Sequence, residues 1–192
     1  MGYNIAMAEL ITTLIPYGVV ALQVAGIILL LALIFARSST LVKWVGGNAL
    51  VLDFLVTLAS VAGSLFYSNV VGFEPCLLCW WQRIFMYPQL ILFSVALWNQ
   101  RIRKPGFRIE TGFLEIFRYS LPLSIIGGLI AIYHILLPSL AQWGVECVTT
   151  GVSCAKLYVF AFGYITIPVM SLTVFAVLVL LGISVNVKQY EK

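Results

Sequence analysis

Charged side chains are scarce in this sequence. Only 9% of the 192 residues are Asp, Glu, Lys or Arg, while 62% are hydrophobic. A water-soluble domain carries roughly 25% charged residues, so this composition excludes a soluble fold. The chain also has one histidine and four cysteines, and no His or Cys completes a set of zinc ligands at the usual spacing. The sequence therefore indicates a membrane protein and predicts no metal site.

The first eight residues contain no basic side chain. The apolar run that follows them, Leu10–Phe35, is longer than the roughly 7–15 residues of a signal-peptide core. We therefore expect this run to be a transmembrane helix. The sequence also lacks an inverted repeat, which is frequent in transporters. This disfavours a transporter whose cysteines serve as ligands or form structural disulfides.

Long apolar runs dominate the rest of the chain. A helix needs about 20 mostly apolar residues to cross a bilayer, and the third run is short unless its helix begins among residues 80–82. Runs of this length are too long for the strands of a membrane barrel. We therefore predict an all-α membrane protein. The five predicted spans are Leu10–Phe35, Ala49–Tyr67, Ile84–Trp98, Tyr119–Leu137 and Tyr164–Ser184.

The charge distribution predicts the orientation. The net charge is +4, but the basic residues are concentrated in residues 36–48, residues 99–118 and the C-terminal tail, which does not resemble a nucleic-acid site. The positive-inside rule places these segments in the cytoplasm. The N-terminus and both gaps that contain cysteines then face outward, where disulfides persist.

The first cysteine pair, Cys76 and Cys79, precedes Gln82 and Arg83. If a helix begins at Pro75, then Cys79, Gln82 and Arg83 share one face. The helix N-terminus and the Arg83 cation should stabilise a Cys79 thiolate, and a thiolate or a quinone carbonyl would give Arg83 a partner. A structural disulfide, a zinc ligand pair and an arginine that reaches the lipid headgroups remain alternatives.

The second pair, Cys147 and Cys154, lies in an outward gap of the sequence, Pro138–Gly163. A small exposed disulfide in such a gap would be exchangeable, although a structural bridge is also compatible. His134, near the outer end of the fourth span, is either a packed polar residue or a catalyst.

Four further polar or aromatic residues lie within or beside the spans. Trp80 and Trp81 suit an interfacial aromatic belt or a cofactor cradle. We expect Gln23 to form a hydrogen bond between helices. Asp53 lies near the inner end of its span and is expected to reach the headgroups, so we assign it no role.

The segment PCLLCWWQRIFMYP (residues 75–88), the later cysteine pair and GYITIP (residues 163–168) together resemble the DsbB/BdbC family of disulfide-forming quinone reductases. The contiguous motif and the short spacing of the second pair favour the BdbC-like branch. The resemblance implies a four-helix redox bundle over residues 49–185. Residues 1–48 would then form an extra N-terminal transmembrane helix and a cytoplasmic loop, and residues 186–192 a cytoplasmic tail.

The resemblance also implies roles. Cys76 and Cys79 would be the membrane-proximal redox pair, with Cys79, Arg83 and Gln82 binding the quinone, either ubiquinone or menaquinone. Cys147 and Cys154 would form the loop disulfide that oxidises a thioredoxin-fold thiol oxidase of the DsbA/BdbD type.

The electrons would then enter the respiratory quinone pool in a bacterial inner membrane. The alternatives are an oxidoreductase resembling vitamin K epoxide reductase, although that family has the opposite order of cysteine pairs, and a non-catalytic membrane protein with structural disulfides.

Overall fold

A computed structural model describes residues 5–102, 110–140, 154 and 158–190. Helices account for most of this part of the chain, and a short π-helical turn, Phe66–Val70, extends the second of them. The α-helices are α1 (Ile5–Phe35), α2 (Thr40–Leu65), α3 (Leu77–Ile102), α4 (Glu110–Leu140) and α5 (Ile167–Tyr190).

Helices α2 to α5 form a four-helix bundle. Helix α3 packs between α2 and α4, α5 closes the ring against α4 and α2, and α1 lies outside it against α5 and α2. Within the described residues, α1, α2, α4 and α5 are long and apolar enough to cross a membrane. The prediction of an all-α membrane protein with an additional N-terminal helix is therefore confirmed.

Helix α3 differs from the other four. It has 26 residues, which is long enough to cross a bilayer, but it is not among the helices that meet the hydropathy criterion. Polar residues lower its mean hydropathy, since Gln82, Arg83 and Gln89 lie between its two ends. These side chains face neighbouring helices, as described below.

Two helices begin at side-chain caps. Ser39 accepts a hydrogen bond from the Val42 N–H and starts α2, so α2 begins about two turns before the predicted start at Ala49. At the start of α3, the Cys76 carbonyl accepts from the Trp80 N–H, and its sulfur accepts from the Cys79 N–H at 3.4 Å. Cys76 thus caps α3, and Pro75 precedes the helix instead of forming its first turn.

Close packing fixes the bundle interior. Gly127 of α4 lies against the ring of Phe175 on α5, and a Cβ atom added at residue 127 would overlap the Phe175 Cζ atom. Gln89 of α3 is fully buried, and its Oε1 accepts hydrogen bonds from the hydroxyls of Ser120 and Ser124 on α4 at 2.8 and 2.9 Å. These contacts set how far apart α3, α4 and α5 lie.

The expectation that Asp53 reaches the headgroups is wrong. Its side chain is fully buried, and neither carboxylate oxygen has a hydrogen-bond partner among the described residues. The neighbouring Thr57 hydroxyl donates to the Asp53 backbone carbonyl, not to the carboxylate. Asp53 lies on the face of α2 that turns into the bundle, together with Ala49 and Leu50.

Gln23 connects α1 to the bundle, as predicted. Its Nε2 donates to the Thr173 hydroxyl on α5 at 3.0 Å, and its Oε1 accepts from the Tyr164 hydroxyl at 2.8 Å. Tyr164 follows a turn in which Phe162 and Gly163 both have positive φ. Polar bonds of this kind fix the register of one helix against another in an apolar medium.

Candidate functional site

The first cysteine pair lies at the N-terminus of α3. The Sγ atoms of Cys76 and Cys79 are 3.0 Å apart and not bonded covalently. Cys76 is 6% exposed, whereas Cys79 is partly accessible. The two sulfurs are therefore within hydrogen-bonding distance of each other.

That hydrogen bond determines which sulfur ionises first. Donation from the Cys76 thiol to the Cys79 sulfur, together with burial, raises the pKa of Cys76 to about 12. The same hydrogen bond lowers the pKa of Cys79, burial opposes this, and the positive charge of Arg83 adds a smaller lowering. The predicted stabilisation of a Cys79 thiolate thus comes mainly from its cysteine neighbour.

His134 of α4 lies beside the same pair of cysteines. Its Nε2 lies 3.0 Å from the backbone carbonyl oxygen of Cys154 and 3.7 Å from the Cys76 Sγ atom. A carbonyl only accepts, so Nε2 carries the ring proton. Nδ1 is then an acceptor, and the Gln82 amide donates to it at 3.1 Å. The imidazole is thus held in one tautomer between α3 and the segment that contains Cys154.

Cys154 packs beside the first cysteine pair. It is 5% exposed and belongs to a buried cluster with Cys76 and Leu137, against which Cys79 also packs. A sulfur far away in the sequence is therefore close to the first pair in space. Cys147 lies outside the described residues, so its pairing with Cys154 stays a prediction.

Arg83 points away from the cysteines, toward α2. Its Nε donates to the Ser64 hydroxyl at 2.9 Å and one of its terminal nitrogens donates to the Ser64 carbonyl at 3.0 Å. The guanidinium carbon lies 5.3 Å from the centre of the Trp80 ring, a cation–π contact. Trp80 and Trp81 are themselves about half exposed on the outer surface, which suits an interfacial belt.

A cavity of about 490 Å³ lies beside Cys79. Its polar end contains Cys79, Gln82, Arg83 and Ser64, and the rest of its wall is mostly apolar. The sequence-predicted residues Cys79, Gln82 and Arg83 therefore line one space, although Gln82 and Arg83 bond to different helices. Apolar cavities with a few convergent polar groups are the usual form of a small-molecule site.

Two buried phenols also line this cavity. The hydroxyls of Tyr67, in the π-helical turn, and Tyr87, on α3, have no hydrogen-bond partner in the part of the chain that the structure describes. A buried hydroxyl without a partner is energetically costly. The wall of the cavity therefore includes two phenols whose buried hydroxyl oxygens have almost no surface accessible to solvent.

A second cavity of about 220 Å³ lies next to the other sulfurs. Cys76, Cys154, His134 and Pro138 line it, and Cys79 lines it as well. The thiol cluster therefore borders two separate spaces. Arg83 lines the larger cavity, and Cys154 lines the smaller one.

The same cluster offers three ligand atoms to a metal ion. The side-chain ligand atoms of Cys76, Cys79 and His134 all lie within 4.8 Å of one another. The argument from sequence spacing missed this set because His134 is 55 residues after Cys79 in the chain. A soft divalent or cuprous ion prefers thiolate and imidazole ligands of this type.

Comparison with known proteins identifies the relatives of this bundle. The family model described as "Disulfide bond formation protein DsbB" matches residues 47–185. The chain belongs to the DsbB family. It is thus a membrane thiol oxidoreductase of disulfide-bond formation, and the match decides against the vitamin K epoxide reductase type and against a purely structural role. No solved structure matches the chain significantly.

Individual relatives in the DsbB family agree with the BdbC-like branch. "Probable disulfide formation protein C" of Bacillus cereus is 37% identical over 62% of this chain and 76% of the relative. "Disulfide bond formation protein C" of Bacillus subtilis is 33% identical over 67% and 85% of the two chains. "SPbeta prophage-derived disulfide bond formation protein B" of Bacillus subtilis is 36% identical over 76% and 90%.

Sequence reasoning missed several residues of this DsbB-family site. The contacts of His134 were not predicted, although an ionisable residue within a span is a functional candidate by default and His134 is at the same end of the bundle as the cysteines. No sequence pattern predicted that Ser64, Tyr67 and Tyr87 line the cavity, because serine and tyrosine are common in spans and at their ends. Helix α1 lies outside the matched residues 47–185.

Proposed function

We propose that this protein is a membrane thiol:quinone oxidoreductase that reoxidises a thioredoxin-fold disulfide oxidase of the DsbA/BdbD type. The observation that carries the proposal is the position of Cys79. Its sulfur is the more acidic of the pair and lines the apolar cavity that also contains Arg83 and Gln82. A thiolate at the wall of an apolar cavity can deliver electrons to a lipid-soluble acceptor.

The proposed relay begins at the second cysteine pair. A thiolate of the partner attacks the Cys147–Cys154 disulfide, and the partner's second thiol resolves the mixed disulfide. The partner leaves oxidised and the loop pair becomes a dithiol. The loop pair then reduces the Cys76–Cys79 disulfide by the same exchange. The packing of Cys154 against Cys76 supports this transfer between pairs.

The relay ends with the oxidation of the Cys76/Cys79 dithiol. Closing this disulfide releases two electrons and two protons, which a quinone accepts to become a quinol. The residues of the chain fit such a molecule, because the wall of the cavity is mostly apolar and Arg83 would provide a positive charge for a carbonyl oxygen. Gln82 lies within hydrogen-bonding distance of the His134 Nδ1 atom, and this contact holds the imidazole close to Cys76.

We also propose an orientation and a division of the chain. Both cysteine pairs and the N-terminus face outward from a bacterial cell membrane, and the basic segments at residues 36–48 and 99–118 face the cytoplasm. Residues 49–185 form the redox bundle, residues 1–48 the accessory helix and its loop, and residues 186–192 a cytoplasmic tail. The positive-inside pattern supports this arrangement.

The direct test is quinone-dependent oxidation of a reduced thioredoxin-fold oxidase by the purified protein. We expect turnover with quinone and none with Cys79→Ser, while Ser94→Ala is a matched control because its hydroxyl bonds only within α3. Oxidation of the partner by Cys79→Ser at the wild-type rate would refute the assigned role of Cys79. Ubiquinone and menaquinone should be compared in the same assay.

Metal binding is the second candidate function, and the convergence of Cys76, Cys79 and His134 supports it. The two candidates predict different results with a chelator. A metal-dependent protein would be purified with bound metal and would lose activity when chelated. A redox relay would keep its turnover, and added zinc would inhibit only the reduced form, because the disulfide removes two ligands.

A further inference from the structure

Helix α1 contributes to the large cavity. Four residues of this helix line it together with Cys79 and Arg83, namely Ile15, Gly18, Val19 and Leu22. The residues matched by the DsbB family model begin at 47, so this part of the wall comes from outside the matched bundle. The cavity is therefore built from the redox bundle and from the additional helix together.

Specific contacts fix α1 in this position. Near its middle, Gln23 bonds to Thr173 and Tyr164. Nearer its C-terminal end, Leu29 and Leu33 are buried against α2 and α5. Between these levels Gly26 lies close to α5, since a Cβ atom there would be 3.2 Å from the Val177 side chain. Helix α1 is thus attached by packing and by polar bonds along its length.

Gly18 lies where the cavity meets the surface. It lines the cavity and is exposed, and a Cβ atom at this position would meet no atom within 4 Å. Gly63 on α2 lines the same cavity and has equally open space at its Cβ position. The surface next to Gly18 is apolar, with Leu14 and Tyr17 more than half exposed. In a bilayer this surface faces lipid.

We propose that α1 forms the lipid-side entrance of the quinone cavity, and that Gly18 leaves the space through which the isoprenoid chain of the quinone passes. This inference rests on the proposed function. The ring of the ligand would lie at the polar end, near Cys79 and Arg83, where the donors are. The apolar chain would leave along α1, because this part of the wall offers hydrophobic side chains and an opening to lipid.

The experiment uses a size series at Gly18 in the full-length protein. Gly18→Ala, Gly18→Leu and Gly18→Phe introduce side chains of increasing volume into space that is empty, so the helix packing is not disturbed. Val24→Phe is the matched control, because Val24 is on the same helix, is 51% exposed and does not line the cavity. Turnover is measured with one quinone that has a long isoprenoid chain and one that has none.

We expect the KM for the long-chain quinone to rise with side-chain volume, by about tenfold for Gly18→Phe. An effect of this size is typical of a side chain that fills space needed by another group. The KM for the chainless quinone should change less than twofold, and Val24→Phe should match the wild type. Unchanged KM values across the series, or an equal rise for both quinones, would overturn the entrance assigned to α1.

A separate readout distinguishes this inference from the proposed function. Mixing the oxidised protein with reduced partner in the absence of quinone gives one round of thiol exchange, which Gly18→Phe should leave unchanged. A wild-type protein that exchanges thiols but never uses a quinone would refute the proposed function. A wild-type protein that uses both quinones, with a Gly18 series that behaves identically, would refute only the role of α1.

Discussion

Cys76 and Cys79 share one hydrogen bond, and it shifts the pKa values of the two thiols in opposite directions. Cys76 donates, so its proton is held up to a pH of about 12. Cys79 accepts, so its thiolate is stabilised. Two chemically identical thiols thus differ in acidity because the cap of α3 places one sulfur where it can donate to the other.

Alkylation of the reduced protein should therefore modify Cys79 well before Cys76 at neutral pH. The rate at Cys79 should fall as the pH is lowered through its depressed pKa, because the thiolate is lost there. Cys76→Ala removes the donor and should slow alkylation of Cys79 at neutral pH, because a smaller fraction of the Cys79 thiol is then ionised. Mass spectrometry of iodoacetamide adducts measures both sites, and equal rates at the two cysteines would contradict this account.

Arg83→Lys should weaken quinone use while leaving the partner's KM unchanged. Lysine keeps the charge but loses the paired donation to Ser64 and the planar stacking on Trp80. We expect the quinone KM to rise about tenfold, the effect of a loss of roughly 1.4 kcal/mol. Ser64→Ala, which keeps the backbone carbonyl acceptor, should give a smaller rise. A parallel change in the partner's KM would show that Arg83 acts on the whole outer end of the bundle.

Gly127→Ala should destabilise the bundle, whereas Gly128→Ala should be tolerated. A Cβ atom at residue 127 would overlap the ring of Phe175, while at residue 128 it would make only ordinary contacts at 3.7 and 4.0 Å. Overpacking of this kind costs about 1–3 kcal/mol. Thermal unfolding in detergent compares the two variants. Equal melting temperatures would mean that α4 and α5 can move apart without a loss of stability.

Gln89→Leu should also destabilise the protein. It removes the acceptor shared by the hydroxyls of Ser120 and Ser124. Interhelical hydrogen bonds in a membrane are worth about 1 kcal/mol each, and part of this is recovered if the serines bond to their own helix. Asn48→Leu is the control, because the Asn48 amide is exposed and bonds only within α2. Unfolding free energies measured in mixed micelles should separate the two variants.

The sequence predicted the helices and the family well, because the length of an apolar run and the CxxC motif are local features. It did not predict which side of each helix faces inward. Nearly all the residues of a span are apolar, so hydropathy alone does not fix the rotation of a helix about its axis. For this reason the burial of Asp53 and the contact of His134 with Gln82 and Cys154 became visible only in the packed bundle.

The boundaries of the second span were also missed for a physical reason. Residues 40–48 contain Lys43 and Asn48, and such residues normally mark the end of an apolar run. Helix α2 nevertheless begins at Thr40 because Ser39 caps it. A cap acts through one hydrogen bond and contributes almost nothing to a hydropathy average.

Among the described residues, Cys79 is the only cysteine that lines both cavities. In the proposed relay, the thiols of the loop pair would reach Cys79 from the cavity beside Cys154, and an oxidant in the cavity beside Arg83 would reach the same sulfur from another side. They would not compete for one volume. Steady-state inhibition between the partner and the quinone should accordingly be non-competitive. The residues that separate the two cavities around the Cys79 sulfur would then determine the order of electron flow.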